Sequence, residues 1–489
     1  MRQNGSFTPL KNNVMSQENQ SFQKSLGLLD ATMLVVGSMI GSGIFIVSAD
    51  IARHTGSAGW MLLVWAICGF MTLTAALSYG ELSAMFPKAG GQYVYLREAY
   101  GPVVSFVFGW TFFAVIQTAT IAAIGVAFAK FTAYLFPFLD EDVYLLTLGD
   151  FKISSAQVLA IAVIIILTFI NSRGINSGKR VQTTITLVKI VSLLLLVLFG
   201  FIAFKYEVWN WNWKQASWWQ MRHLNADGSY SSYTNFSAMG AFSAAMVGAL
   251  FSSDSWHSSS AVAGEIKNPQ RNIGLSLALG TILVTIIYLL TNLMYTGVLT
   301  LEQMVNAPKD RVAMSAAQEI FGPFGITIIA IMIMISTFGC NNGIILAGAR
   351  VYYSMAKDGL FFKNAGKLNN KSVPSWALWI QCAAAAIWCL SGRYGDLLDM
   401  ITCVVVIFYV LAIIGIIRLR VTRPELDRPY KAFGYPFLPI IYIIMGLSFI
   451  LLMVLFKPNY TWPGIAIALL GVPIYYVINP KRKESNEIS

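Results

Sequence analysis

The sequence predicts an all-α integral membrane protein of twelve transmembrane helices. Three observations carry this. Of 489 residues, 56% are hydrophobic and only 12% charged, and mean hydropathy is +0.63; a soluble domain carries about twice that charged share. Apolar stretches long enough to cross a bilayer as a helix, about 20 residues, recur along the chain. Strand-type alternation is weak, which disfavours a β-barrel and leaves helices to do the spanning, because lipid offers backbone groups no partners. The same composition excludes a disordered chain, a disulfide scaffold and an ordinary cytosolic enzyme.

Residues 1–24 are polar, rich in Asn, Gln and Ser, and lack the apolar segment of a signal peptide; they read as a disordered tail. A first half, 25–204, holds spans at 28–52, 59–86, 101–135, 154–172 and 181–204. Residues 205–232 form a loop whose tryptophan-rich stretch, Trp209 to Trp219, reads as an interfacial belt ahead of a substrate lid. A second half, 233–417, holds spans at 233–262, 272–299, 322–350, 375–392 and 398–417. The clearest is Met400 to Ile417, eighteen residues without a charge. A basic loop, 418–432, suited to anionic lipid, leads to two more spans at 433–456 and 461–479 and a tail at 480–489. Pro269, Pro374 and Pro439 mark helix boundaries. Glu81 and Glu265, near the ends of spans two and six, are expected to pair with basic loop residues.

An even number of spans puts both termini on one side. Placing them in the cytoplasm assigns 23 of the 34 Lys and Arg residues to inside segments and ten to outside segments, with Lys189 inside a span. That bias supports cytoplasmic termini in a plasma (inner) membrane and explains the net charge of +11 without nucleic acid. Cys68, Cys340, Cys382, Cys389 and Cys403 all fall in apolar spans and read as small buried hydrophobes. His54, His223 and His257 are too scattered for a metal site. The chain has no HExxH and no phosphate-binding GxxxxGK[ST] loop. No metal, no cofactor and no enzymatic activity are expected.

Two spans are interrupted. Span one carries Gly37, Gly41, Ser42 and Gly43 mid-membrane. Glycine is a poor interior helix residue, so Gly41-Ser42-Gly43 invites unwinding; Gly37-x-x-x-Gly41 equally fits a helix-packing face. Span six reads Phe251-Ser-Ser-Asp-Ser-Trp-His257, three serines and an aspartate inside an apolar helix. The two interruptions occupy matching places in two five-helix halves, the sequence pattern of a transporter site. The N–H groups of Gly41, Ser42 and Gly43 would start a half-helix and suit a carboxylate. Carbonyls near Met39, Ile40, Phe251 and Ser252 would end the preceding half-helices and suit an ammonium. Together they select an α-amino acid.

At these residues the chain resembles the amino acid–polyamine–organocation superfamily, and within it bacterial relatives of the L-type amino acid transporters. Three stretches carry the resemblance: Gly37 to Phe45, Tyr79 to Gly101 (YGELSAMFPKAGGQYVYLREAYG), and Gly264 to Asn272 (GEIKNPQRN). It runs from about residue 25 to 478. It implies a LeuT-type fold, with helices 1–5 and 6–10 as inverted repeats, helices 1 and 6 broken, and helices 11 and 12 peripheral. It assigns carboxylate binding to Gly41, Ser42 and Gly43, an outer aromatic gate to Phe251, and a matching tryptophan to Trp256. Eukaryotic members attach an accessory glycoprotein through a cysteine between helices 3 and 4. The loop from Phe136 to Lys152 has none, so no disulfide-linked subunit is expected.

Lys189 lies some eight residues past the start of span five, where a lysine costs about 2.5–3.5 kcal/mol to insert. It is either a cation inside the bundle or a lysine whose stem lies in lipid. The resemblance implies the former: a lysine replacing a sodium ion, bridging helix 1 carbonyls near Gly37 and Ser38 to Ser336 and Thr337 on helix 8. Asp254 departs from the common L-type pattern, which has a small residue there, and resembles the light chain that carries cystine and dibasic amino acids. It can pair with a cationic side chain, bind the α-ammonium, or cap a half-helix. His257 stands where well-known members have asparagine; it is either a protonation switch or a packing residue. The expected function is sodium-independent exchange of L-amino acids by alternating access, with neutral substrates favoured, cationic ones admitted through Asp254, and helices 1, 3, 6 and 8 around the site. Proton-coupled symport with Lys189 or Asp254 titrating is the alternative.

Overall fold

The computed structural model describes residues 22–148, 151–215, 219–224, 229–391 and 394–478. Both expected end tails, apart from residues 22–24, lie outside these residues.

Helices dominate. The first is split: α1 (Leu28–Met39) and α2 (Gly43–Thr55) are bent by 41° across residues 40–42. Then come α3 (Ala58–Met85), α4 (Pro102–Leu135), α5 (Ser155–Ser172) and α6 (Ile175–Ile202). The second half holds α7 (Asn235–Ser252), α8 (Pro269–Val298), α9 (Pro323–Lys357), α10 (Ser375–Ser391) and α11 (Tyr394–Thr422). Two more close the chain, α12 (Phe437–Phe456) and α13 (Pro458–Ile478). Helix starts obey local chemistry. Ser57, Ser154 and Thr234 accept backbone N–H bonds from the first turns of α3, α5 and α7, and Pro269 opens α8 without needing an N–H acceptor.

Among the described residues, ten helices are long and apolar enough to cross a membrane, and the bent α1–α2 pair makes eleven. The remaining candidate, α10, is apolar but only 17 residues long.

Span six departs from expectation. Helix α7 stops at Ser252, and the chain continues only as a single turn, Ser258–Ala261, and a 3-10 piece, Ala263–Glu265. No second half-helix of membrane length forms within 233–262. The cause is local: Ser255 takes a positive φ of 62°, and the hydroxyls of Ser258 and Ser260 donate to the carbonyls of Ser255 and His257 (2.6 and 2.7 Å). Such side-chain bonds compete with helical ones. The loops also hold two short hairpins, Tyr144–Leu148 with Phe151–Ser154 and Arg222–Leu224 with Tyr230–Ser232, so the chain is not all-α there.

The bundle packs α3 along α8, α4 along α9, and α7 along α2; α6 lies against α1 and α9, and α11 against α4 and α7. The apolar stretches of α4 and α11 are 78% buried, those of α12 and α13 only 28% and 22%, so the last two helices are peripheral.

At one end the chain is sealed by charge. Arg350 Nε donates to Glu265 Oε1 at 2.8 Å, both side chains buried, and Glu81 pairs with Arg420 at 2.6 Å. The segment from Phe22 lies over this end, which shortens the expected tail. The N–H groups of Ser25 and Leu26 donate to the Glu265 carbonyl (3.0 Å each), and Phe22 packs edge-on to Tyr353. At the other end a vestibule of about 340 Å3 is lined by Asp50, Arg53, Lys130, Asp310, Asp399 and Lys457, among others.

Candidate functional site

The break in the first helix and the end of α7 meet at mid-bundle. Gly43 makes the approach possible: a Cβ there would lie 1.9 Å from Ser252 Oγ and 3.0 Å from Ser252 Cα. Gly41 is similarly close to Cys340 on α9, whose Sγ would lie 2.8 Å from its Cβ, and Gly37 packs onto Gln182 and Thr186 of α6. The glycines therefore serve both expected purposes at once, unwinding at 40–42 and close packing at 37 and 41.

A cavity sits between the breaks. Ser38, Met39, Gly41, Ser42 and Gly43 line it from the first helix, and Phe251, Ser252, Asp254 and Ser255 from the end of α7; α4 adds Thr120 and Ile124, and α9 adds Cys340 and Ile344. The region in which a water centre fits is only about 10 Å3, roughly one water. The site is narrow.

The carbonyls freed by the breaks are answered by four side chains from three helices. Lys189 Nζ, buried on α6, donates to the carbonyls of Gly37 and Ile40, the latter at 2.7 Å. Ser336 Oγ on α9 lies within bonding distance of the Ile40 and Gly41 carbonyls (3.3 and 3.4 Å). Tyr288 on α8 puts its hydroxyl between the two breaks, 2.9 Å from Met39 O and 3.1 Å from Ser252 O. Cys340 Sγ is 2.9 Å from Ser38 O. The Phe251 carbonyl accepts the Asp254 N–H at 3.1 Å. On the donor side, the first turn of α2 carries the positive end of the helix dipole, and the Phe45 N–H there already donates to the Ser42 carbonyl at 3.1 Å. Ser42 is buried at that start.

Most of the expected residues converge here: Gly37, Ile40, Gly41, Ser42, Gly43, Phe251, Ser252, Asp254, Lys189 and Ser336. Three details differ. Thr337 bonds within its own helix, to Ile333 and Met334 carbonyls, and takes no part in the break. Trp256 is buried against Tyr79 and Tyr409 and lines a neighbouring apolar cavity, not the one at the breaks. The Ile40 carbonyl, expected to receive a substrate ammonium, already receives Lys189 and Ser336. The sequence reading missed Tyr288, Cys340 and Tyr409. Tyr409 on α11 donates to Asp254 Oδ1 at 2.5 Å and lies 2.9 Å from His257 Nδ1. A hydroxyl isolated in an apolar span, as in Ile287-Tyr288-Leu289, was the available signal.

Residues 26–478 match the amino acid permease family. The b(0,+)-type amino acid transporter 1 of Mus musculus is 28% identical over 465 residues, 94% of this chain and 88% of the relative. The serine/threonine exchanger SteT of Bacillus subtilis is 30% identical over 475 residues, 96% of this chain and 100% of the relative. The cystine/glutamate transporter of Homo sapiens is 28% identical over 464 residues, 94% and 86%. These relatives are transporters rather than enzymes. A match that runs almost from end to end, on a bundle of apolar helices with its first span broken, makes the chain a multi-pass membrane protein of the amino acid permease family, within the amino acid–polyamine–organocation superfamily.

Proposed function

We propose that the chain is a sodium-independent exchanger of L-amino acids working by alternating access. The observation that carries this reading is the buried Lys189 ammonium on the carbonyls of Gly37 and Ile40. It supplies a fixed cation at the break, where a coupling ion would otherwise bind. The substrate carboxylate sits on the N–H groups of Gly41, Ser42 and Gly43, the ammonium at the carbonyl end of α7 near Phe251 and Ser252, and the side chain toward Asp254. Phe251 closes over it. Neutral amino acids are favoured, and cationic ones are admitted through Asp254.

The architecture we infer is twelve spans, with helices 1–5 and 6–10 as inverted repeats and both termini cytoplasmic in the plasma membrane. The packing supports the repeat. Counting α1–α2 as span one, exchanging spans whose numbers differ by five turns the contact of α6 with α1 (spans five and one) into that of α11 with α7 (ten and six), and the contact of α6 with α9 (five and eight) into that of α11 with α4 (ten and three). The charge bias of the connecting segments supports the sidedness.

Proteoliposomes test the function. Labelled alanine, leucine and arginine should enter only when the vesicles hold amino acid, and replacing sodium by choline should change nothing. Strong loss of uptake in choline would sink the sodium-independent reading. Uptake into vesicles without internal amino acid, driven by a proton gradient, would make the chain a symporter instead.

A further inference from the structure

Asp254 is a carboxylate at mid-bundle. Among the described residues no lysine or arginine forms an ion pair or hydrogen bond with it, and only its Oδ1 is hydrogen-bonded, to Tyr409. Lys189 is committed to the Gly37 and Ile40 carbonyls, and Arg350 to Glu265. A charge in such a place is neutralised by a proton or by a cation from outside the protein.

The chain of bonds continues from Asp254. The Tyr409 hydroxyl that donates to Oδ1 also lies 2.9 Å from His257 Nδ1. The other titratable groups facing this cluster are Tyr79 on α3, Tyr442 on α12 and Cys340 on α9; none is a cation. Tyr79 and Trp256 pack against the Tyr409 ring. Asp254 itself borders both the cavity at the breaks and the apolar cavity behind it. One end of the bonded chain therefore meets the substrate and the other is an imidazole.

We propose that His257, Tyr409 and Asp254 hold one exchangeable proton that compensates the charge of the substrate side chain. The proposal rests on the exchange reading above. With a neutral amino acid bound, His257 carries the proton as imidazolium, donating from Nδ1 to the Tyr409 oxygen, while Tyr409 donates to Asp254. With a cationic amino acid bound, its side chain takes the free side of the Asp254 carboxylate, and His257 gives its proton to water on the open side. The cluster and side chain sum to zero charge in both states. A cationic amino acid entering in exchange for a neutral one therefore moves one proton outward, and the cycle is electroneutral.

The test uses the full-length protein in proteoliposomes preloaded with alanine, with labelled arginine outside and a pH dye inside. The expected result is interior alkalinisation of one proton per arginine, and arginine accumulation unchanged when an inside-negative potential is imposed. An uncompensated exchange would instead raise accumulation about 50-fold at about 100 mV. His257→Asn, which keeps a hydrogen-bonding side chain, should abolish the alkalinisation and introduce that 50-fold dependence, with alanine-for-alanine exchange retained. Tyr409→Phe should also abolish the alkalinisation. A purely structural role would slow both exchanges without changing proton count or voltage dependence, and would overturn the proposal. So would voltage-driven arginine entry in the unmodified protein, retention of the proton in His257→Asn, or alanine exchange with no arginine transport at all. Failure of every amino acid to exchange would overturn the exchange reading itself.

Discussion

Replacing Lys189 by methionine separates the folding role of this cation from its role in the site. The side chain keeps similar length and loses the ammonium. Two charge-assisted bonds disappear, to Gly37 and Ile40 carbonyls, at about 1.5–3 kcal/mol each. Against this loss of about 3–6 kcal/mol stands the removed cost of holding a lysine mid-membrane, about 2.5–3.5 kcal/mol. The net change lies between about zero and 3.5 kcal/mol, so the variant should insert and stay monodisperse in detergent. The break should not keep its geometry. Ile40 retains Ser336 at 3.3 Å, whereas Gly37 has no second donor among its described bonds. Losing even one substrate hydrogen bond, about 1.4 kcal/mol, lowers affinity about tenfold. Counterflow of labelled alanine in proteoliposomes, normalised to inserted protein, should therefore fall at least about tenfold. Counterflow at the unmodified rate would refute the claim that this ammonium organises the break. Lys189→Arg should be impaired too, because a planar fork does not replace a compact ammonium on two convergent carbonyls.

Other substitutions draw on the same geometry. Gly43→Ala puts a Cβ against the Ser252 backbone, so uptake should collapse while expression persists; normal uptake in Gly43→Val would mean the site lies elsewhere. Tyr288→Phe leaves the Met39 and Ser252 carbonyls without their shared donor, and should lower detergent thermal stability by about 1–3 kcal/mol as well as slowing exchange. Arg350→Met strands the buried Glu265 carboxylate and should cost about 3–5 kcal/mol, read as a lower melting temperature, whereas removing both charges should recover much of it. In the loop after α4, burial pushes the Asp140 carboxyl up, but its bonds from Lys309 outweigh this and hold it below the usual carboxylate value. The pair is thus intact above that range and lost only as pH falls through it. Protease nicking of the loop should be flat from pH 7 to 5 and rise in stronger acid.

The breaks were legible because their cause is local. Glycines at 41 and 43 and the serine run after Phe251 disrupt a helix wherever it is placed, and a helix start or end then has donors or acceptors to offer. Lys189 was legible as a candidate buried cation because a lysine mid-span needs acceptors; that the first helix supplies them was what the family resemblance implied. Of the side chains arriving from other helices, Ser336 was expected and reaches the break, while Thr337 was expected and does not. Ser336 and Cys340 are four residues apart and share a face toward the break; Thr337, one residue on, is rotated by about 100° and misses it. Tyr288 reaches Met39 across 249 residues of chain, and nothing in its own neighbourhood says so. Span six was expected to run from 233 to 262 as a helix broken after Phe251. Serine hydroxyls bonded to backbone carbonyls cut the part after the break to a single turn and a 3-10 piece.

The narrow cavity gives a physical reason why the carrier should exchange rather than leak. Closing it withdraws water from the first N–H groups of α2 and from Asp254, since space for about one water remains. Each buried polar group left without a partner costs about 1–3 kcal/mol, and a charge more. In the proposed binding mode an α-amino acid answers these groups together, its carboxylate at the start of α2 and its ammonium at the end of α7. Crossing without a substrate lacks both answers. Two unanswered groups already cost about 2–6 kcal/mol, which is about 30-fold to more than 10,000-fold in the population of the closed, unloaded state. Efflux of labelled alanine from proteoliposomes should therefore be at least about 30-fold faster with amino acid outside than without. Efflux of equal speed in both conditions would show that the unloaded site closes as readily as the loaded one, and that desolvation at the breaks does not couple the two half-cycles.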